Sequence, residues 1–361
     1  MNLQTKLYIL IIFNLLFLLA ASLLYFESQF ITYFIYISLA AALVNVLGYF
    51  SILKSNNDSK NKINALERKI DELEQTHQQQ ILYIKNQEDE IVKQLESIKE
   101  QRNIIEFQKQ ELEDSITYAF RIQQAILPPR SYIDKILSDY FIFYLPKSIV
   151  SGDFYFVEQE GDYSIIAAVD CTGHGVPGAM MSVIGYDLLN QAVKINHITK
   201  PSDILSFVDD GVSTFLRQIN DESGVHDGMD ISIVSINKQF RIVEFAGAYH
   251  ELYYSHKGEM FEIKGDKLPI GMNIDGVVDQ YTNHGIPVDK GDMLYIFSDG
   301  FADQFGGKEN KKFKYKALKN LLLEICSRNC DEQKEILAHN FIEWQGVNEQ
   351  VDDVLIIGIR I

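Results

Sequence analysis

Proline is missing from the first 127 residues: all seven lie at or beyond position 128, and of the 22 glycines only Gly48 comes earlier. Between 60 and 127 neither residue occurs. That absence excludes a loop-rich fold for the front third and permits long uninterrupted helices. Cysteine is scarce, with Cys171, Cys326 and Cys330 as the full set. An odd count with no spaced partner excludes a disulfide framework, and no His or Cys cluster joins the last pair to make a zinc site. Positive charge is also short. The formal net charge is −17, of which −3 falls in the first 127 residues and −14 beyond them. So acidic a domain repels a phosphate backbone, which argues against nucleic acid as a partner.

What is present begins with two apolar runs, at 7–26 and 30–50, separated by "ESQ". Each has the length of a bilayer span, about 20 residues. Lys6 precedes the first, and Lys54, Lys60 and Lys62 follow the second. Positive charge at both outer flanks predicts a two-pass hairpin in the bacterial inner membrane, with both termini cytoplasmic. A cleaved signal peptide fits less well, because a second span follows at once.

From 57 to 127 apolar residues recur every seven: Ile63, Ile70, Ile84, Ile91, Ile98, Ile105 and Leu112, with His77 in the gap. The period predicts a coiled coil and a parallel homodimer, extended by a linker helix. The second seam is poor, with Gln80, Gln87, Gln94 and Gln101 where apolar residues belong. A weak seam of this kind suits regulation by a shift of register. A lone amphipathic helix is the alternative. In "DSITYAFRIQQAILPP", Ile116, Ala119, Phe120, Gln123 and Ile126 share a face, and Pro128 and Pro129 end the helix.

Residues 128–361 read as a separate globular domain, after a membrane hairpin at 1–56 and a helical linker at 57–127. Apolar runs predict strands at 140–145, 154–158, 163–170, 231–236, 242–246, 252–256, 293–298 and 354–359. Helices are predicted at 176–195, 201–218, 314–326 and 332–344. Strands joined by short turns, with helices in blocks, indicate an α+β fold with antiparallel sheets flanked by helices.

Four acidic positions share one context. Asp153 precedes "FYF", Asp170 ends "SIIAAVD", Asp299 follows "MLYIFS", and Asp352 and Asp353 precede "VLIIGIRI". Each sits at a strand terminus. Converging carboxylates repel and ionise together only with cations present. Oxygen ligands suit Mg²⁺ or Mn²⁺. Two such ions, about 3.5–4 Å apart, are suited to phosphoryl chemistry. A turn or cap role is the alternative for any one of them.

In order, "VSGDFYF", "AVDCTGHGVPGAMMS", "FAGAYHELYY", "LPIGM", "FSDGFADQFGG" and "VDDVLIIGIR" resemble the SpoIIE/RsbU branch of the metal-dependent PPM serine/threonine phosphatases. The segment "DSITYAFRIQQAILP" resembles the lead-in of its membrane-tethered members. The resemblance implies an α-β-β-α sandwich. It implies hydrolysis of phosphoserine or phosphothreonine on an anti-anti-sigma-factor-like regulatory protein, with two Mn²⁺ or Mg²⁺ as cofactors. By motif, Asp170 bridges both metals, the Cys171 carbonyl adds a ligand to one, Asp153 serves one, and Asp299 and Asp352 complete the set. Asp353, Asp303 and His174 are implied as supporting residues. His174 departs from the eukaryotic pattern, in which one residue rather than three separates it from the metal aspartate. His250 is expected to be structural, and Cys171 is not expected to act through its thiol. The competing classes are a non-catalytic scaffold for a switch protein and a two-metal nucleotide cyclase. The second lacks any phosphate-loop pattern.

Overall fold

The structure, a computed structural model, describes residues 59–361 apart from 174, 220–226, 238, 240–241 and 272–279, with 39 and 43 as isolated residues before them. It divides into two compact units, 1–110 and 111–361. Helix α1 (Ser59–Ile126) is one unbroken helix of 68 residues. With no glycine or proline inside it, nothing interrupts its backbone hydrogen bonds.

Three expectations are corrected here. A coiled coil needs a second helix to receive its knobs. Among the described residues no helix pairs along α1, and none of its residues from 62 to 122 is buried. Leu73, Ile81 and Leu112 are exposed. Among the described residues α1 therefore has no second helix with which to form the predicted coiled coil, and the homodimer through coil and linker helix has no support in the structure. The predicted spans at 7–26 and 30–50 lie outside the described residues, and among the described residues no helix is long and apolar enough to cross a membrane. The two-pass hairpin, the membrane partner and the inner-membrane location thus have no support in the structure.

The second unit is a four-layer sandwich. After α2 (Arg130–Ile136) come β1 (Tyr140–Leu145), β2 (Phe154–Glu160) and β3 (Tyr163–Cys171). Helices α3 (Val176–Asn190) and α4 (Pro201–Ile219) follow, then β4 (Met229–Asn237), β5 (Ile242–Ala248), β6 (Leu252–His256) and β7 (Glu259–Ile263). β8 (His284–Ile286), β9 (Met293–Phe297), α5 (Gly300–Asp303) and the small hairpin β10 (Phe305–Gly306) with β11 (Lys311–Lys312) lead on. Helices α6 (Tyr315–Ile325) and α7 (Cys330–Gln345) and strand β12 (Val354–Arg360) complete the order. One antiparallel sheet runs β1-β12-β9-β6-β7 and the other β2-β3-β4-β5-β8.

Side-chain alternation along β3 shows why the layers form. Ile165, Ala167 and Val169 face outward into a core shared with Leu189 of α3 and Leu205 and Val208 of α4. Ile166 and Ala168 face inward, against Leu294 and Ile296 of β9 and Leu355 and Ile357 of β12. Both faces are buried, so the strand reads as a continuous apolar run rather than an alternating one. On the outer face of the β1-β12-β9-β6-β7 sheet, Phe143, Phe297 and Ile356 pack on Leu318 and Leu322 of α6 and Phe341 of α7. Each such side chain, fully buried, contributes about 1.5–3 kcal/mol of transfer free energy.

The predicted helix at 176–195 ends as α3, and a π-helical turn (Gln191–Ile195) replaces its last residues. Edge strand β7 escaped prediction because "EMFEI" is short and mostly exposed, with only Phe261 and Ile263 to mark an apolar face. Antiparallel pairing brings the end of β3 beside the start of β4, and the end of β9 beside the start of β12. Those four strand ends carry the candidate site.

Candidate active site

Asp170 ends the inward face of β3 and lies directly opposite Asp230 across the β3–β4 ladder. Asp299 follows β9 after Ser298, whose hydroxyl accepts from the Leu355 N–H at 3.0 Å and so ties β9 to β12. Asp352 and Asp353 immediately precede β12. Asp353 is buried, and both its oxygens are taken: one accepts from the Lys147 N–H at 2.7 Å, the other from the Gly152 N–H at 2.8 Å. This clasp fixes the loop that delivers Asp153. Asp153 is 2% exposed, and its Oδ2 has no hydrogen-bond partner.

The loops around these residues pack tightly. A Cβ on Gly178 would stand 2.2 Å from the Gly173 carbonyl oxygen, and one on Gly152 2.6 Å from the same atom. Only glycine admits that approach. The Cys171 carbonyl sits in the same knot. Its thiol is buried, and burial followed by the Asp170 charge pushes its pKa well up. That leaves the thiol protonated and inert. Asp303 accepts at Oδ2 from Lys312 Nζ at 2.6 Å, and its charge adds to the upward push on Asp299. His174 lies outside the described residues.

Two acidic or basic neighbours escaped the sequence reading. Asp230 opens β4, and His250, expected to be structural, places Nε2 at 3.5 Å from Asp170 Oδ2. The turn before it carries Tyr249 with φ 57°, an uncommon backbone for a non-glycine residue. A cavity of about 400 Å³ opens among Asp170, Cys171, Asp230, Tyr249, Asp299 and Asp352.

Burial dominates the electrostatics, and crowding of like charge adds to it. Burial, then Asp170, pushes Asp299 up to about 7. Burial raises Asp230 to about 6, with His250 opposing and Asp170 adding. Asp153 is raised well above its ordinary value by burial and by Asp170, and Asp352 is raised first by burial. Burial disfavours charge on His250, but contact with Asp170 and the charges of Asp230 and Asp299 outweigh it and raise its pKa.

The donor set suits hard divalent cations. It consists of carboxylate and carbonyl oxygens, one of them a buried oxygen without a partner, in a group destabilised by its own negative charge. Among the described residues no three acidic, His or Cys side chains stand together as a finished ligand set. The carboxylates gather at one edge without closing on one point. The fit therefore rests on donor chemistry and charge.

Known proteins resemble this chain in sequence and fold. The family described as Stage II sporulation protein E (SpoIIE) matches residues 160–361. Phosphoserine phosphatase RsbU of Bacillus subtilis (strain 168) is 27% identical over 255 residues, 69% of this chain and 71% of its own. Among solved structures, the SiaA-PP2C domain of Pseudomonas aeruginosa is 33% identical with a TM-score of 0.63, covering 70% of this chain and 98% of that one. The PP2C phosphatase domain of SpoIIE from Bacillus subtilis, solved with a fragment of its regulatory domain, is 17% identical with a TM-score of 0.50. It covers 62% of this chain and 63% of its own, and that likeness bears on the fold alone.

Proposed function

We propose a reaction for a chain that belongs to the SpoIIE family and is a metal-dependent protein-serine/threonine phosphatase: two Mn²⁺ or Mg²⁺ ions, held by Asp153, Asp170, Asp299, Asp352 and the Cys171 carbonyl, support hydrolysis of phosphoserine or phosphothreonine on a regulatory protein of the anti-anti-sigma-factor-like class. When bound, such ions provide a nucleophile from water near neutral pH and withdraw charge from the phosphoryl group. Asp170, at the end of β3, is the shared ligand in this reading. Asp353 acts as a positioning residue, since its two backbone hydrogen bonds hold the loop bearing Asp153. His250, whose Nε2 lies 3.5 Å from Asp170 Oδ2, and Asp230, opposite Asp170 on β4, orient Asp170. Tyr249 and the cavity wall at Thr172 and Gly173 meet the phosphorylated segment.

The observation that carries this reading is the gathering of carboxylates from the ends of β2, β3, β9 and β12 at one edge, with Asp153, Asp299 and Asp352 raised by burial and by the charge of Asp170. A scaffold that only binds a switch protein has no need of such a destabilised group. The test is phosphate release by the full chain from a phosphoserine peptide, with and without Mn²⁺, beside Asp170→Asn. Release is expected only with metal, and to fall by about 10²–10³-fold in the variant, the scale seen when one electrostatic group of a site is removed. Equal release from both proteins would refute the assignment, and metal-independent release would refute the mechanism.

A further inference from the structure

At the opposite end of the same two sheets lies a second cavity, of about 440 Å³. Ser164 begins the inward face of β3 that Asp170 ends. Six residues at about 3.3 Å each separate the two cavities by about 20 Å. The size falls in the range of small-molecule sites.

Its floor is the gap between the sheets, walled by Ile236 of β4, Val243 of β5 and Ile359 of β12. Ser164 also lines it. That residue is fully buried, and its Oγ has no hydrogen-bond partner. A buried hydroxyl left unpaired is costly, which points to a partner the chain does not itself provide.

The rim carries Lys135, beside the end of α2, and Lys290. Both are exposed, and neither has an ion-pair partner among the described residues. The other charges at the rim are occupied. Arg360 Nε donates to Asp139 at 2.7 Å, and its remaining donors reach the Gly291, Cys326 and Arg328 carbonyls. Asp134 accepts from the Tyr140 hydroxyl at 2.8 Å and faces Arg130. On a domain as acidic as this one, two uncommitted lysines over an apolar gap form a local exception.

We propose that this cavity binds a small amphipathic carboxylate. The apolar body lies between the sheets, the Ser164 hydroxyl donates to a ligand oxygen, and Lys135 and Lys290 hold the anionic head. Nothing in the phosphatase reaction requires the site, and its test is a binding measurement that stands whether or not the reaction above is correct.

The probe is octanoate, titrated against the full chain and followed by saturation-transfer NMR, with octanamide as the uncharged control. Millimolar affinity is the scale for so small a ligand. Two variants accompany it: Lys135→Glu with Lys290→Glu, both on the surface, and Val243→Phe, which fills the gap. All three proteins share the same N-terminal apolar runs, so a difference among them reports on the cavity. Saturable binding is expected in the wild type. The dissociation constant should rise about tenfold or more in the charge-reversed protein, and octanamide should bind more weakly than octanoate. No saturation up to about 10 mM, equal affinity in the charge-reversed protein, or octanamide binding as tightly as octanoate would overturn the proposal. Val243→Phe is interpreted only if its melting curve matches the wild type, and unchanged binding in such a folded variant would also overturn it.

Discussion

Asp299 shows how the site spends stability on function. Its carboxyl titrates near 7 against an ordinary value of 3.8, because burial and Asp170 disfavour its charge. A carboxyl whose folded pKa is raised holds its proton more tightly when folded. Its contribution to stability is therefore present below about 4, declines as pH rises through the window from 3.8 to about 7, and becomes a full penalty above that. The metal-free protein should accordingly melt lower at pH 8 than at pH 5.5, and Mn²⁺ should reverse the loss. Asp299→Asn removes the penalty. At pH 8 without metal it should melt higher than the wild type, by roughly 2–4 °C for each kcal/mol relieved, while phosphate release collapses. Calorimetry across that pH range checks this, and a variant that melts lower at pH 8 would show that Asp299 is not under the strain assigned to it. The other carboxylates were legible in the sequence by their shared position at strand ends. Asp230 was not, because an aspartate opening "DISIVSI" looks like any polar strand start until its register places it opposite Asp170. Nor was the 3.5 Å approach of His250 to Asp170, since that distance depends on how the turn after β5 is brought beside β3 and not on the turn's own sequence.

Two elements deliver the loops to the site, and each can be tested. Helix α3 begins where Gly178 lies against Gly173. Alanine is favoured over glycine within a helix by about 1 kcal/mol, so intrinsic propensity alone would make Gly178→Ala stabilising. The contact at 2.2 Å opposes it. The variant should displace the 171–175 loop and lower phosphate release by about 10²-fold, the scale of a 1 Å misplacement, with a smaller effect on melting. Unchanged turnover would show that the loop tolerates movement. The last turns of α1 act from the other side. Gln123 is buried, donates to the Ser151 carbonyl at 2.6 Å and to the Ser182 hydroxyl at 2.9 Å, and accepts from the Ser151 N–H at 3.1 Å. It joins α1, α3 and the loop that carries Asp153. Gln123→Leu strands the Ser151 groups, at about 1–3 kcal/mol for each buried group left unpaired. The melting temperature should fall by several degrees, and the Mn²⁺ requirement should rise as Asp153 loosens. A variant with normal melting and normal Mn²⁺ dependence would remove Gln123 from this role. Sequence periodicity placed Gln123 on the packed face of α1, but only the fold reveals what that face touches.

At the scale of the whole molecule, the sandwich was readable because the central strands of both sheets are buried on both faces. Their strands appear as unmistakable apolar runs, and the motifs fall in order at their ends. The front of the chain was misread for the opposite reason. A seven-residue recurrence such as Ile84, Ile91 and Ile98 specifies only that a helix has a stripe, and whether a second helix covers it is decided outside the chain. The structure has α1 alone, with that stripe half-exposed. The central claim concerns the cluster of carboxylates at one sheet edge, and a Mn²⁺ titration followed by EPR tests it most directly. The measurement compares the full chain with Asp153→Asn, Asp170→Asn, Asp299→Asn and Asp352→Asn, with phosphate release recorded on the same samples. Two bound ions are expected in the wild type, fewer in each variant, and loss of both ions with loss of turnover in Asp170→Asn. Wild-type stoichiometry retained in Asp170→Asn, or no Mn²⁺ bound by an active protein, would contradict the account.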